Sequence, residues 1–244
     1  VRKPNGIWYT SVSGIWQTVW LEPVNAVYIQ DLTIVPDVDK SCVTVRAATP
    51  PMLGKYAIEM RIQDGRRKVY EGFVTAGGTI TMPVKDARLW SPENQHLYSL
   101  RVGLKLGSPN LDRLESYFGM RKVSLGKDDK GFTRILLNNK PYFQFGPLDQ
   151  GFWPDGIYTA PTDEALRYDI EMTKKLGFNM ARKHVKVEPD RWYYWCDKLG
   201  LLVWQDMPSG DKYISPTGQD ITRSPESAKE FETELRALMQ GRWN

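Results

Sequence analysis

The sequence predicts a fold of two parts, an immunoglobulin-like β-sandwich followed by strands that alternate with helices. Within residues 24–121 apolar side chains recur at every second position, as they do in half-buried strands. After residue 123 continuous apolar runs alternate with amphipathic segments of helical period. This alternation predicts a parallel sheet covered by helices, either an open doubly wound sheet or a barrel. Periodicity alone does not choose between these two.

The sandwich is predicted from several short strands. Residues 56–63 alternate apolar and polar side chains and lead into an Asp64-Gly65 turn, the pattern of a strand that enters a hairpin. The same alternation returns in residues 43–47 and 100–106. About seven such strands, separated by turns, are typical of an immunoglobulin-like sandwich.

Helix signals dominate the second part. Each of three helices is predicted from a capping residue, an apolar stripe and a stop signal. The first two are each followed by a short apolar strand, at 178–182 and 201–204. The three helices begin at Thr162, Pro189 and Ser224-Pro225, and the first two end at Gly177 and Gly200.

Composition excludes several classes of protein. The chain carries 33 Lys and Arg against 29 Asp and Glu, a net charge of +4, without a long run of one sign, so nucleic acid is not an expected partner. No apolar run approaches the roughly 20 residues of a membrane span. Cys42 and Cys196 are expected to be buried free thiols, and no metal or cofactor is predicted. The residues from Val1 onward do not have the charged-then-apolar pattern of a leader, and a periplasmic or secreted location is expected.

Three segments of the first half resemble family 2 glycoside hydrolases. Residues 13–22, SGIWQTVWLE, resemble the segment that closes the family's N-terminal jelly-roll domain. Residues 89–93, LWSPE, and 117–123, YFGMRKV, resemble the last strands of its immunoglobulin-like second domain. The resemblance therefore follows the family's domain order.

The second half continues the resemblance. Residues 136–141, LLNNKP, resemble the hairpin that leads into the family's (β/α)₈ barrel, with Asn139 in place of the usual Gly. A left-handed turn tolerates Asn, so this departure is mild. Residues 179–184 resemble the second barrel strand, and residues 196–206 resemble the next helix and third strand.

The resemblance implies three domains and an activity. Residues 1–22 would be a jelly-roll remnant, 23–122 an immunoglobulin-like sandwich, and 123–244 the first part of a TIM barrel, truncated before its fourth strand. The expected function is that of an interior fragment of a retaining exo-β-glycosidase, β-galactosidase-like by default, which acts on terminal β-linked sugars of oligosaccharides or glycosides. The remaining domains of the parent chain, or a second copy of it, are the expected protein partners.

No catalytic residue is expected within this chain. Retaining hydrolysis uses two carboxyl groups about 5–5.5 Å apart. In the family these glutamates follow the fourth and seventh barrel strands, and neither of those segments has a counterpart in this sequence. The chain alone is therefore expected to be inactive.

Candidate substrate-binding residues follow the barrel strands, where barrel active sites form. Asp149 is expected to bind sugar hydroxyls or to cap a turn, and Trp153 to stack on a sugar or to pack beneath its own loop. Arg182 matches a family arginine that lines the active site and orients a catalytic carboxylate, with a structural ion pair as the alternative.

Two further candidates complete the set. His184 follows Arg182 after one residue rather than the family's two, so a sugar contact and a solvated loop histidine remain open. Asp206 closes the third strand where some β-galactosidases carry a metal ligand, but a sugar or arginine contact is favoured over metal. His96, in the sandwich, is expected to be exposed and without a partner.

Two other functions fit parts of the sequence. A non-catalytic carbohydrate-binding module would use the aromatic loops for glycans and would bind sugar without the rest of a barrel. A cell-surface interaction protein would use the sandwich alone, but that hypothesis leaves the α/β part unexplained.

Overall fold

The structure, a computed structural model, describes residues 12–51, 56–107, 110–208, 217–218 and 222–242. By its internal contacts the chain divides into two compact units. The sandwich unit comprises residues 23–143 and 222–244, and the α/β unit comprises residues 1–22 and 144–221. None of the described helices is long and apolar enough to cross a membrane.

The sandwich unit contains two antiparallel sheets. One sheet has the strand order β1-β2-β5 and the other β4-β3-β6-β7. Their strands are β1 Asp31–Asp37, β2 Cys42–Ala48, β3 Ala57–Asp64, β4 Arg67–Thr75, β5 Thr79–Pro83, β6 Tyr98–Lys105 and β7 Asn110–Phe118.

Both sheets contribute to one apolar core. Ile58, Met60 and Ile62 of β3 are fully buried, as the alternation predicts, and they share the core with Val43 and Val45 of β2. The intervening side chains of β3 point away from the core because successive residues of a strand face opposite sides. The outer face of the larger sheet is therefore polar.

The expectation that His96 is exposed is wrong. Its side chain is only 10% exposed, and Nε2 lies 3.3 Å from Asp64 Oδ1. The imidazole also packs edge-on against Tyr98, with ring centroids 4.7 Å apart. The β3–β4 turn brings Asp64 to the histidine, a contact that local sequence does not reveal.

A third, smaller sheet follows in the same unit, with the order β10-β9-β8. Its strands are β8 Val123–Lys127, β9 Thr133–Leu137 and β10 Lys140–Pro141. Asn138 and Asn139 connect β9 to β10 with φ values of 52° and 66°. Both residues take the left-handed conformation, which Asn tolerates better than most residues do.

The α/β unit contains a parallel sheet in the order β11-β12-β13. Its strands and helices alternate along the chain, as predicted. They are β11 Leu148–Asp149, α1 Asp163–Lys175, β12 Met180–Lys183, α2 Asp190–Leu199 and β13 Leu202–Gln205.

The predicted helix limits agree with the structure. Thr162 caps α1 by accepting a hydrogen bond from the Ala165 N–H at 3.1 Å, and Gly200 ends α2 in the left-handed conformation. The third helix, α3 Pro225–Gly241, belongs to the sandwich unit and is capped by the Ser224 hydroxyl.

The two faces of the parallel sheet differ. Ala181 of β12 packs into a core with residues of α1 and α2, among them the buried thiol of Cys196. Cys42, in the sandwich unit, is only partly buried. Side chains on the opposite face of the parallel sheet are more open, with Leu148 at 52% and Trp204 at 47% exposure. One face of the sheet is thus covered by helices, and we call the other the open face.

Candidate active site at the carboxyl edge of the parallel sheet

The three parallel strands end at the same level. Asp149 of β11 is in register with Lys183 of β12, and Lys183 is in register with Gln205 of β13. Their side chains and the residues that follow therefore form one carboxyl edge. This edge is where parallel α/β sheets place their ligand sites.

Arg182 and Asp206 form a two-pronged ion pair on the open face. Arg182 Nε donates to Asp206 Oδ1 at 3.0 Å, and Nη2 donates to Oδ2 at 2.9 Å. The arginine hydrogen bonds lower the pKa of Asp206, so this carboxylate is charged at neutral pH. About half of the Arg182 side chain remains exposed, at 47%. A planar guanidinium held in this way still offers donors to an anionic or hydroxylated group.

Lys183 lies on the helix-covered face, one residue further along β12. Its Nζ is 2.6 Å from Asp149 Oδ2 and 2.9 Å from Glu188 Oε1, and its side chain is only 1% exposed. The ammonium also lies 4.2 Å from the ring centroid of Trp192. Buried charges are retained only when they are paired, and Lys183 is paired twice.

A second buried lysine anchors the loop after β11. Lys186 Nζ donates to the carbonyl oxygens of Gly151 at 2.5 Å and Tyr158 at 2.8 Å, and lies 3.1 Å from Glu188 Oε1. Burial lowers the pKa of Lys186. Gly151 has φ +66°, and a Cβ there would clash with Glu188 Oε1. Glycine is needed at this position because the loop passes directly over the buried charges.

The segment before the sandwich reaches the same cluster. The Trp16 ring packs edge-on against Tyr158, with centroids 4.5 Å apart, and Lys186 Nζ lies 5.3 Å from the Trp16 centroid. Thr159 Oγ1 donates to the Trp16 carbonyl at 3.0 Å. Residues of the SGIWQTVWLE segment therefore belong to the α/β unit in space.

The remaining candidates make their hydrogen bonds to other groups than Arg182 and Asp206, although His184 is close enough to Asp206 to help lower the pKa of that carboxyl. The His184 N–H donates to the Asp149 carbonyl at 2.8 Å, and its Nδ1 lies 3.3 Å from Gln150 Nε2. Trp153 packs against the α1–α2 core, and its buried Nε1 has no hydrogen-bond partner among the residues that the structure describes. Asp149 accepts from Lys183 and from the Gly151 N–H.

Sequence reasoning missed the polar network behind the edge. Tyr193 Oη donates to Gln205 Oε1 at 2.6 Å, and Gln205 Nε2 donates to the Lys186 carbonyl at 2.9 Å. Lys183 and Glu188 were missed as well. One signal was available, because a strand that buries Ala181 turns Lys183 to the same face. Its carboxylate partners come from 34 residues before it and 5 after it, and sequence does not pair them.

No group of three or more His, Cys, Asp or Glu is close enough to hold a metal ion within the described parts of the chain. The acidic groups of the edge are instead bound to lysine or arginine. Its chemistry is therefore that of charge-assisted hydrogen bonding.

Comparison with known families finds one match. Residues 27–121 match the family described as Glycosyl hydrolases family 2. These residues cover the strands β1–β7 of the sandwich unit.

Curated relatives match over most of the chain. A protein of Formosa agariphila named putative β-glucuronidase is 28% identical over 85% of this chain, and a β-galactosidase of Leuconostoc mesenteroides is 30% identical over 79% of it. The chain spans about a fifth of the length of each, 20% in both cases.

A solved structure agrees in fold. The β-D-glucuronidase of Dictyoglomus thermophilum superposes with a TM-score of 0.70 at 19% identity, over 88% of this chain and 36% of its own length. The similarity extends beyond the sandwich unit, since it covers more of the chain than residues 27–121.

Proposed function

Because the chain belongs to family 2 of the glycosyl hydrolases, we propose that it is part of a retaining exo-β-glycosidase. In this proposal residues 1–22 close a jelly-roll domain, residues 23–122 are an immunoglobulin-like domain, and residues 123–244 begin a (β/α)₈ catalytic barrel. The substrates are terminal β-glycosides, with β-galactosides the default. Relatives named β-galactosidase and β-glucuronidase support a β-glycosidase without deciding between the two sugars.

The observation that carries the proposal is the Arg182–Asp206 pair. It lies at the carboxyl edge of the parallel sheet and on the open face, opposite the helices. In a (β/α)₈ barrel the helices form the outer ring, and active sites lie at the carboxyl ends of the strands. In this proposal the pair forms part of the active-site wall.

The proposal assigns a role to each candidate residue. Arg182 orients a catalytic carboxylate, and Asp206 holds the guanidinium flat and binds a sugar hydroxyl. Asp149 and His184 bind sugar hydroxyls from the neighbouring loop. Trp153 supplies an aromatic wall where that loop meets the helices. No cofactor takes part.

We further propose that the 244-residue polypeptide alone does not hydrolyse glycosides. Retention needs one carboxyl group that is protonated as an acid and a second that attacks as a nucleophile. The carboxylates of Asp149, Glu188 and Asp206 are each bound to a lysine or arginine, so none of the three is free to serve as the acid or as the nucleophile.

The test uses the whole protein of which this sequence is part. Arg182→Gln is compared with wild type on p-nitrophenyl β-galactoside and β-glucuronide, and a loss of about 100-fold in kcat is expected from misplaced reacting groups. Arg167→Gln is the control, since Arg167 pairs with Glu171 on the surface of α1. Full activity of Arg182→Gln would overturn the role of the pair. Turnover by the 244-residue polypeptide would contradict its proposed inactivity.

A further inference from the structure

The outer face of the β4-β3-β6-β7 sheet carries a cleft of about 230 Å³. Its floor is Gly103 of β6. This residue is paired across the sheet with Glu59 of β3 on one side and Arg113 of β7 on the other, and it lacks the side chain that its two neighbours have. Three guanidinium groups and two carboxylates surround this floor. We call the cleft the Gly103 notch, and the charged residues of its rim are Glu59, Arg61, Arg101, Arg113 and Glu115. The Asn110 side chain also lines it, with Oδ1 3.1 Å from the position of a Cβ on Gly103.

Two arginines of the notch face each other, although each also has its own carboxylate partner. Arg61 and Arg101 are directly opposite each other on neighbouring strands. Like charges in that position destabilise a sheet. A site that gathers like charges around an open cleft is typical of ligand binding, because a bound anion removes the repulsion.

Existing carboxylates do not neutralise the notch. Arg101 pairs with Glu115 at 2.9 Å, and Lys105 occupies Glu59 at 2.8 Å. Arg113 has no carboxylate partner among the residues that the structure describes, although it lines the cleft. Among the described residues, the Arg113 guanidinium is thus the one at the rim without a carboxylate partner.

The Arg61 side chain lies on the outer face of the sheet, as that of Arg101 does. It pairs with Glu71, and the ion pairs that Lys68 and Arg61 make with Glu71 lower the pKa of that carboxyl to about 2. Glu71 therefore stays charged and remains with its partners at neutral pH. It is not a rim residue of the notch.

An exposed aromatic ring lies in the same row. Phe73 of β4 is in register with Glu59, which is in register with Gly103, so the ring lies two strand spacings, about 10 Å, from the notch. Its side chain is 59% exposed, and Lys105 Nζ lies 5.6 Å from its ring centroid. Aromatic faces of this kind stack on apolar faces of ligands, including sugar rings.

We propose that the Gly103 notch binds an anionic oligosaccharide, with a carboxylate or sulfate group between the three arginines and a neighbouring sugar ring on Phe73. The site lies in the sandwich unit, and none of its residues belongs to the carboxyl edge. The choice of a sugar among anions rests on the proposed function. The notch then holds acidic glycan chains for the enzyme without taking part in hydrolysis.

The experiment is titration calorimetry of the 244-residue polypeptide with three probes of equal length. These are an oligogalacturonate, a sulfated galactose oligosaccharide and a neutral galactose oligosaccharide. Binding is expected for at least one of the anionic probes, whose identity distinguishes carboxylate from sulfate, and not for the neutral probe. Affinity should fall as salt is raised.

Variants locate the site. Arg113→Gln should weaken binding about tenfold, the value of one charge-assisted hydrogen bond. Phe73→Leu should weaken it by a smaller factor, and Arg167→Gln should leave it unchanged. Far-ultraviolet circular dichroism confirms that each variant is folded. Equal affinity of Arg113→Gln and wild type, or absence of binding by both anionic probes, would overturn the proposal.

The two proposals fail separately. Notch binding is measured without turnover, whereas the glycosidase proposal is measured by hydrolysis and by Arg182→Gln. Hydrolysis without notch binding removes only the inference about the sandwich. Notch binding by a whole protein that does not hydrolyse β-glycosides removes the proposed function, and the notch is then a glycan-binding site in its own right.

Discussion

Arg182 and Lys183 are neighbours on β12 with opposite environments. Arg182 is 47% exposed on the open face, whereas Lys183 is 1% exposed and bridges two carboxylates on the helix side. Ion pairs exposed to water contribute little to stability, whereas removal of one member of a buried pair leaves the other as an uncompensated buried charge. The two residues therefore differ in what they do, although sequence presents them as equivalent cations.

We expect Lys183→Met to lower the free energy of unfolding by about 3 kcal/mol, because Asp149 loses its ammonium partner and Glu188 loses one of its two lysine contacts. Urea denaturation at constant m measures the change. Arg182→Met is the matched control and should have little effect on stability. Equal destabilisation by the two variants would show that the buried network is not stabilised by Lys183.

The pH dependence of the sandwich unit should be set in part by His96. Burial lowers the pKa of His96 below its usual 6.5. The unfolded chain therefore takes up this proton more readily than the folded chain does. Stability that is complete above pH 6.5 is lost as the pH falls from 6.5 through the folded pKa, and below that value this group adds no further change.

The measurement is an NMR titration. The chain has only two histidines, so His184→Gln leaves a single imidazole signal. Its midpoint should lie below 6.5. His96→Gln should reduce the loss of thermal stability between neutral pH and the folded pKa of His96. A titration midpoint at or above 6.5 would contradict the burial argument.

Among the elements, the loop between β11 and α1 depends most on one glycine. Gly151 has a left-handed φ, and its missing side chain leaves room for Glu188 and Lys186. Two costs thus act at once on any substitution. The left-handed conformation costs about 1–2 kcal/mol for other residues, and displacement of a buried ion pair adds to it.

We expect Gly151→Ala to destabilise the α/β unit by more than about 2 kcal/mol. Gly177→Ala separates the two costs, because Gly177 has φ +92° and nothing lies within 4 Å of its added Cβ. That control should cost only about 1 kcal/mol. Thermal denaturation of both variants gives the comparison, and equal losses would mean that crowding at Gly151 is relieved without cost.

At the scale of the whole molecule, the residues that the structure describes form two apolar cores, one in each unit. The sandwich core contains Leu100, which is fully buried, and the α1–α2 core contains Ile170, which is 1% exposed. A core residue truncated to Ala costs about 2–5 kcal/mol because a cavity remains. The loss should appear in the unit that contains the cavity.

Hydrogen exchange followed by mass spectrometry tests this expectation. Leu100→Ala should speed exchange in peptides from β3, and Ile170→Ala should speed exchange in peptides from α1. Each variant serves as the control for the other. Acceleration of both peptides by either variant would show that the two units unfold together.

Much of the fold was predictable from the sequence because it follows from short-range patterns. Alternation in β3 predicted which side chains are buried, since a strand that packs on one core must alternate. Thr162, Gly200 and Ser224 predicted helix ends because capping is satisfied by residues a few positions away. The family, too, was recognisable from contiguous segments.

The candidate site was predictable only in part. Arg182 and Asp206 could be placed at strand ends, but their mutual ion pair joins residues 24 positions apart. His96 was expected to be exposed because nothing near it in sequence suggests Asp64.

By itself, the sequence determined the strand pattern of the first part, the alternation of helices and strands in the second, and the resemblance to a glycosidase family. Only the tertiary structure decided that Asp149 forms an ion pair with a buried lysine, whereas Asp206 forms one with an exposed arginine. Only the tertiary structure, too, brings Arg61, Arg101 and Arg113 around one notch. The physical reason is range. Hydrogen-bonded periodicity and capping act over a few residues, whereas charge pairing depends on distances that exist only after sheets bring remote strands into register.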